Sequence, residues 1–203
     1  MIKITIVDDS ETIREGLRTL INRTEGYSCT GSFSECSVML SEIGKLNPDV
    51  LLIDLSLPCS ESIKCIKEVK LILPSLTILA LTIYEENELI FEALLAGASG
   101  YLVKQKPSKK IIKGIGDALM SGTYMNSSIA LKVIEYFNQK KNKTMFSEAE
   151  TLTNIEQEIL NKQIRGYNFK EISDALTLTI ETVQINYKNI YKKLHIQSNI
   201  RQL

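Results

Sequence analysis

The chain has 203 residues, its 24 lysines and arginines balance 24 aspartates and glutamates, and 44% of its residues are hydrophobic. This composition is that of an ordinary folded protein and excludes collagen-like, disordered and disulfide-scaffold classes. No apolar run approaches the ~20 residues that span a bilayer. The acidic pair Asp8-Asp9 comes too early for a secretory signal peptide, so no membrane partner is expected.

The cysteines and the histidine limit the metal chemistry that the chain can support. Four cysteines show no CxxC spacing and the chain has one histidine, His195; the cysteines are Cys29, Cys36, Cys59 and Cys65. This arrangement disfavours a zinc site and indicates reduced thiols in the cytoplasm.

Charge is distributed unevenly along the chain. Residues 1–126 carry 13 basic and 16 acidic side chains, whereas residues 151–203 carry 7 and 5. The asymmetry favours two domains, but it is too small to demonstrate nucleic-acid binding.

The first 125 residues alternate between short β-branched runs and segments of helical periodicity. Five strands and five helices in strict alternation predict an α/β domain with a doubly wound, five-stranded parallel sheet. The predicted strands are 2–7, 27–31, 50–54, 76–82 and 100–104.

The remaining residues predict a linker and an all-α domain. Residues 126–150 read as a linker helix followed by a polar linker over 138–150, for which partly helical structure is left open. Thr153 and Glu156 have capping-box spacing, which starts a helical domain over 151–203. Its three predicted helices are 154–165, 169–176 and 180–194.

Polar side chains end otherwise apolar strands of the predicted sheet. Asp8 and Asp9 follow the first strand, Asp54 ends the third, Thr82 the fourth and Lys104 the fifth. Ligands bind beyond the carboxyl ends of parallel strands, so we expect these groups to meet at one edge. Three carboxylates with no histidine or thiolate nearby suit a hard cation, and Mg²⁺ matches best.

This placement predicts phosphoryl chemistry. Asp54 on the central strand is the expected nucleophile, and Asp8, Asp9 and the backbone carbonyl of Ser56 would join it in binding Mg²⁺. Lys104 would pair with the phosphoryl charge and the Thr82 hydroxyl would donate to one of its oxygens. The alternative is that these residues are solvated strand ends, with Asp8 and Asp9 capping the next helix.

The segment over 169–194 has the pattern of a helix-turn-helix. Gln184, Lys188 and Lys192 recur every four residues on one face of the last helix, opposite a core stripe. Such a face enters the DNA major groove, where lysines contact phosphate or guanine and an amide reads a base edge. Tyr187 and Tyr191 are expected to add sugar or phosphate contacts. The alternative is a small helical bundle whose lysines are only solvated.

Residues 1–125 resemble the receiver domain of two-component response regulators. The matching segments are Val7-Asp8-Asp9-Ser10, Asp54-Leu-Ser-Leu-Pro58, Leu81-Thr82 and Gly100-Tyr-Leu-Val-Lys104. The resemblance implies that a sensor histidine kinase phosphorylates Asp54 and that Thr82 and Tyr101 form a coupled switch. It also implies a regulator and not an enzyme, with at most slow self-dephosphorylation.

The chain departs from the receiver pattern at two positions. Ser62 stands where the family usually carries glycine, which predicts a differently shaped loop after Asp54. Ile83 stands where a small residue is common and would narrow access to Asp54. Ser56 and Tyr84 lie where the family tunes the lifetime of the phosphoryl group.

Residues 152–196 resemble the LuxR-type helix-turn-helix of the NarL/FixJ class of response regulators. The pattern shows in Leu152-Thr153, Glu156, Glu158-Ile-Leu160, Gly166, Lys170-Glu-Ile172, Leu176, Thr182-Val183, Ile190 and Lys193-Leu194. By this match Gln184, Ile185 and Lys188 occupy DNA-facing positions. The family's final helix, often used in dimerisation, would begin near Ser198, with barely a turn before Leu203.

Together these features predict a response regulator transcription factor. Phosphorylation of Asp54 would switch the receiver, promote homodimer formation and control the binding of double-stranded DNA. One alternative is a Mg²⁺-dependent phosphohydrolase with Asp54 as nucleophile, although Ser56 replaces the second acid that such enzymes need. The other is a phosphorylation-controlled module that binds protein or RNA.

Overall fold

The computed structural model describes residues 1–58, 61–83, 87–104, 108–121, 127–141 and 151–199. The chain divides into two compact units, Met1–Met120 and Ser121–Leu203. None of the helices in the described residues combines the length and apolar character needed to cross a bilayer.

The first unit is an α/β domain with a five-stranded parallel sheet in the order β2-β1-β3-β4-β5. This architecture confirms the fold predicted from the alternating periodicity. Its elements are β1 (Ile2–Val7), α1 (Glu11–Arg23), β2 (Tyr27–Phe33), α2 (Cys36–Leu46), β3 (Val50–Asp54), α3 (Glu61–Ile72), β4 (Thr77–Thr82), α4 (Asn87–Ala96), β5 (Gly100–Val103) and α5 (Ser108–Ser121).

The register of the sheet aligns the carboxyl ends of its central strands. Val7 pairs with Ile53 and Asp54 pairs with Leu81, so the residues that follow β1 lie level with the end of β3. All five residues of β3 are buried, as expected for a central strand covered on both faces. The second strand was predicted to end at Gly31, but β2 continues to Phe33. The two added residues pair with β1, and Phe33 lies opposite Val7.

The second unit is helical, with α6 (Ser127–Lys141), α7 (Asn154–Ile164), α8 (Phe169–Leu176) and α9 (Ile180–Asn199). The Thr153–Glu156 capping box forms as predicted, and α6 packs against α7. The predicted linker over 138–150 is helical as far as Lys141, and its remaining residues lie outside the described part of the chain.

The last helix differs from its prediction. It runs without interruption from Ile180 to Asn199, past the expected end at Leu194 and the expected new start near Ser198. The physical reason is that no glycine or proline lies between these positions to break the helix.

Candidate functional site

Three carboxylates meet at the carboxyl edge of the sheet. Oxygens of Asp8, Asp9 and Asp54 all lie within 4.8 Å of one another. Asp8 is 0% exposed and Asp54 is 1% exposed, whereas Asp9 faces solvent. The structure therefore brings together the acidic residues that the strand ends predicted, two of them out of water.

Lys104 supplies the cation of this cluster. Its Nζ lies 2.6 Å from Asp8 Oδ2 and 2.7 Å from Asp54 Oδ2, so one ammonium group faces two buried carboxylates. The Lys104 backbone N–H donates to the Thr82 carbonyl over 2.8 Å, which continues the pairing of β4 with β5. Apart from the lysine, neither Oδ2 atom has a hydrogen-bond donor among the described residues.

The other oxygen of each buried aspartate is held by the loop that follows it. Asp8 Oδ1 accepts from the Ser10 N–H and Asp54 Oδ1 accepts from the Ser56 N–H, both over 3.0 Å. Each carboxylate is therefore oriented by the chain two residues on. The capping alternative for the first loop does not apply to Asp8 or Asp9, because the N-cap of α1 is Ser10 and no side-chain cap forms.

The charge balance of the cluster favours an added cation. Burial is the main cause that raises the pKa of Asp8 above its ordinary value, Lys104 opposes the increase, and the nearby Asp54 adds to it. The Lys104 ammonium group faces the carboxylates of Asp8 and Asp54, and the Asp9 carboxylate lies near both of them. A hard divalent cation with oxygen ligands would compensate the excess negative charge, so the donor set fits Mg²⁺.

The remaining predicted receiver residues lie close to this edge in the fold. Thr82 is buried at the end of β4 and Tyr101 is buried in β5. Ser56 is exposed in the loop after Asp54, and Ile83 is half-buried. Tyr84 lies outside the described residues.

Two contacts at this edge were not predicted from the sequence. Arg14 in α1 donates from Nη1 to the carbonyls of Asp8 and Asp9 over 2.7 and 3.0 Å. Ser62 in α3 donates from its hydroxyl to the Leu55 carbonyl over 3.3 Å. Helical spacing alone does not tell which side chains turn back toward a loop, so only the unusual serine at position 62 gave a signal.

The second unit presents an exposed face on α9, between Gln184 and Lys192. Lys188 and Lys192 are exposed, Ile185 is 50% exposed and Gln184 is half-buried. The predicted DNA-facing residues thus share one accessible face. Thr179 accepts from the Thr182 N–H over 3.1 Å and caps the helix as expected.

The two tyrosines of α9 do not belong to this face. Tyr187 is fully buried and donates its hydroxyl to Gln163 Oε1 over 2.7 Å, and Tyr191 is also buried. Burial raises the pKa of Tyr187. The predicted sugar or phosphate contacts are therefore wrong, because both rings lie in the core stripe with Val183, Ile190 and Leu194.

An ion pair between a half-buried lysine and a buried glutamate connects α7 to α9. Lys193 Nζ lies 2.6 Å from Glu156 Oε2 and also donates to the Thr151 carbonyl over 2.9 Å. The same Glu156 oxygen accepts from the Thr153 N–H over 2.7 Å. The glutamate therefore belongs to the capping box of α7 and is also the partner of a lysine from another helix.

The fold and the two sites define a protein with an acidic receiver unit and a helix-turn-helix unit. Residues 4–115 match the family model of the response regulator receiver domain, and residues 150–202 match that of bacterial regulatory proteins of the luxR family. The chain belongs to the response regulators that join a receiver domain to a LuxR-type helix-turn-helix domain.

Several known proteins are similar to this chain, over nearly its whole length or over part of it. The transcriptional regulatory protein LnrK of Bacillus subtilis is 31% identical over 97% of this chain and 92% of its own length. A LuxR-family response regulator from Aurantimonas is 28% identical with a TM-score of 0.59, over 66% of this chain and 96% of that one. RcsB from Salmonella enterica, solved bound to a promoter with a phosphomimetic, is 24% identical with a TM-score of 0.54, over 96% of this chain and 92% of that one, and supports the fold.

Proposed function

We propose that this response regulator controls transcription through phosphorylation of Asp54 by a sensor histidine kinase. The observation that carries the proposal is the buried Asp54 carboxylate, paired with Lys104 and within 4.8 Å of the carboxylate oxygens of Asp8 and Asp9. In this role an Asp54 oxygen attacks the phosphorus of a phosphohistidine, the P–N bond breaks and the imidazole leaves. Both partners are reached from the cytoplasm, which is where the proposal locates the protein.

Each residue of the cluster has a role in this reaction. Asp8, Asp9, Asp54 and the Ser56 carbonyl would hold Mg²⁺, which when bound neutralises charge on the phosphoryl oxygens. Lys104 offers an ammonium group to the same oxygens after it releases the carboxylate that becomes an acyl phosphate. Thr82 and Tyr101 are the proposed switch residues, and their side chains start from buried positions on the neighbouring strands β4 and β5.

The output part of the proposal concerns the exposed face of α9. Gln184, Ile185, Lys188 and Lys192 would enter the major groove of double-stranded DNA, and a homodimer formed on phosphorylation would strengthen the binding. The promoter-bound RcsB structure supports this reading for a protein of the same fold. The exposed lysines predict binding that weakens as salt rises.

Labelling with a small phosphodonor and Mg²⁺ tests the receiver part. We expect one phosphoryl group per chain, no label on Asp54→Asn, and normal label on the control Asp49→Asn, which changes an exposed aspartate at the other end of β3. Label that persists in Asp54→Asn contradicts the assignment. Repeated turnover of a phosphate ester would instead favour a phosphohydrolase over the proposed regulator, which at most dephosphorylates itself slowly.

Duplex DNA capture with and without a stable phosphoryl mimic tests the output part. We expect the mimic to produce dimers in sedimentation and to increase capture of particular sites. The double substitution Gln184→Ala and Lys188→Ala should abolish capture, whereas Lys113→Ala, an exposed lysine of α5 in the other unit, should leave it unchanged. Binding of RNA or protein in place of duplex DNA contradicts this part.

A further inference from the structure

The loop after Asp54 is held by a buried hydroxyl group. Ser62 is 0% exposed in the first turn of α3, on the face that it shares with Cys65, Ile66 and Val69. Its Oγ donates to the carbonyl of Leu55 over 3.3 Å. A polar group on an otherwise apolar buried face is favourable only when it has a hydrogen-bond partner, and this carbonyl is the partner.

The same peptide group contacts the carboxylate of Asp54 at its other end. The Leu55 carbonyl and the Ser56 N–H belong to one peptide, and that N–H donates to Asp54 Oδ1 over 3.0 Å. Because a peptide group is planar, a bond that fixes the direction of its carbonyl also fixes the direction of its N–H. Ser62 therefore acts on Asp54 through a single rigid unit.

This peptide lies where the support of the sheet ends. The Leu55 N–H still donates to the Leu81 carbonyl of β4 over 2.9 Å, but β3 ends at Asp54 and the chain then turns away. The peptide between Leu55 and Ser56 is the first beyond that interstrand bond. The Ser62 hydroxyl supplies the restraint at this point.

The loop after β1 is held in a comparable way by a different side chain. Asp8 Oδ1 accepts from the Ser10 N–H, while Arg14 of the following helix donates to the carbonyls of Asp8 and Asp9. In both loops a carboxylate is oriented by an amide, and a side chain from the next helix fixes loop carbonyls. A bonded carbonyl also polarises its peptide, which strengthens the N–H bond to the carboxylate.

We propose that Ser62 is a positioning residue for the phosphoacceptor site. Its hydroxyl fixes the peptide between Leu55 and Ser56, and thereby the Asp54 carboxylate and the adjoining Ser56 carbonyl, in the arrangement that binds Mg²⁺. The inference rests on the proposed function of this site. It gives a role to the residue at which the chain departs from the glycine usual in similar receivers, since a glycine has no side chain to donate this bond.

The test compares Ser62→Ala with a matched control in the full-length chain. Ser173 in α8 is also buried and donates its hydroxyl to a backbone carbonyl, that of Leu178, over 2.6 Å. Ser173→Ala therefore removes the same kind of bond from the other unit. The readouts are the Ser56 amide proton resonance without metal, the Mg²⁺ dissociation constant from titration, and the labelling rate at limiting Mg²⁺.

We expect Ser62→Ala to move the Ser56 amide resonance upfield and to weaken Mg²⁺ binding by roughly three- to tenfold, the range for loss of one hydrogen bond. The labelling rate at limiting Mg²⁺ should fall by a similar factor. Ser173→Ala should change none of the three. If Ser62→Ala does not fold, Ser62→Gly removes the same hydroxyl and should give the same changes.

The possible failures are distinguishable. Labelled wild type together with an unchanged Ser56 resonance and unchanged Mg²⁺ affinity in the Ser62 variants overturns the positioning role and leaves the proposed function intact. Equal losses in Ser173→Ala also overturn it, because the effect is then general destabilisation. Wild type that binds Mg²⁺ without taking label contradicts the proposed function alone, and wild type that does neither overturns both.

Discussion

The receiver unit and the helix-turn-helix unit each pair a largely covered lysine with buried acidic side chains. In the helix-turn-helix unit Lys193 pairs with one glutamate, Glu156, which a backbone N–H also satisfies. In the receiver unit Lys104 faces both Asp8 and Asp54, with Asp9 nearby. The first arrangement has balanced charge and holds two helices together, whereas the second keeps excess negative charge that a ligand can neutralise.

Removing the cation from the balanced pair should give the largest effect. Lys193→Met leaves the Glu156 carboxylate, 2% exposed, without its charged partner, and should destabilise the second unit by about 3–5 kcal/mol. Calorimetry of the full chain, with hydrogen exchange to assign each transition, measures this. The control is Lys192→Met, which alters the exposed neighbour. If the unfolding transition of the second unit is the same in Lys193→Met as in the wild type, the ion pair does not stabilise that unit.

Mg²⁺ should stabilise the receiver unit, which has excess negative charge, and not the helix-turn-helix unit, whose ion pair is balanced. At ten times its dissociation constant, a ligand that binds only the folded state stabilises it by about 1.4 kcal/mol. We therefore expect Mg²⁺ to raise the unfolding temperature of the receiver unit and to leave the helix-turn-helix unit unchanged. Thermal scans with and without Mg²⁺ test this, and a uniform shift of both transitions would count against a specific site.

Neutralising one acid of the receiver should stabilise that unit, whereas breaking the ion pair between α7 and α9 should destabilise the other unit. Asp8→Asn removes a buried charge whose pKa is raised chiefly by burial, and should stabilise the metal-free receiver by roughly 1 kcal/mol. It should also abolish the Mg²⁺-dependent shift. A metal-free receiver destabilised by this substitution would contradict the comparison.

The pH dependence follows from the same shift. Between the ordinary carboxyl pKa and the raised pKa of Asp8, the folded state binds more protons than the unfolded state. Wild-type receiver stability should therefore fall as pH rises through this window. Denaturation at a series of pH values should show a smaller fall in Asp8→Asn, and an identical fall in both proteins would refute the assignment to Asp8.

The smallest effect is expected at a lysine held by carbonyls. Lys70 donates to the carbonyls of Pro74 and Leu76, and burial lowers its pKa to about 8. Between this value and its ordinary pKa the unfolded state binds more protons, so receiver stability should rise with pH, by less than about 1 kcal/mol for a partly exposed group. Lys70→Met should remove this rise in alkaline denaturation curves. If receiver stability still rises with pH in Lys70→Met, another group causes the rise.

The sequence predicts the receiver edge well because strand periodicity determines where strands end. Once the strands are parallel, Asp8, Asp54 and Lys104 must meet at one edge. The roles of Ser62 and Arg14 were not predictable in this way, because each depends on a side chain that turns back to a loop carbonyl. The prediction was wrong for Tyr187 in α9. Its hydroxyl suggested an exposed residue that contacts DNA, but its position belongs to the buried core stripe.

The three lysines of α9 also show that the sequence pattern does not predict long-range polar contacts. Lys188 and Lys192 are exposed, whereas Lys193 is half-buried and pairs with a glutamate contributed by α7. Nothing local distinguishes Lys192 from its neighbour, since the difference comes from a partner 37 positions away along the chain. Predictions from pattern are therefore reliable for faces and strand ends and less so for long-range polar pairs.

The packing of α6 against α7 has a practical consequence for fragments of this chain. Ile129, Val133 and Phe137 of α6 are buried, although this helix precedes the residues that match the luxR-family model. An output fragment cut at residue 150 would lack the helix that α7 packs against and would expose apolar surface. A fragment that starts before Ser127 retains this packing and is the better choice for work on the output half alone.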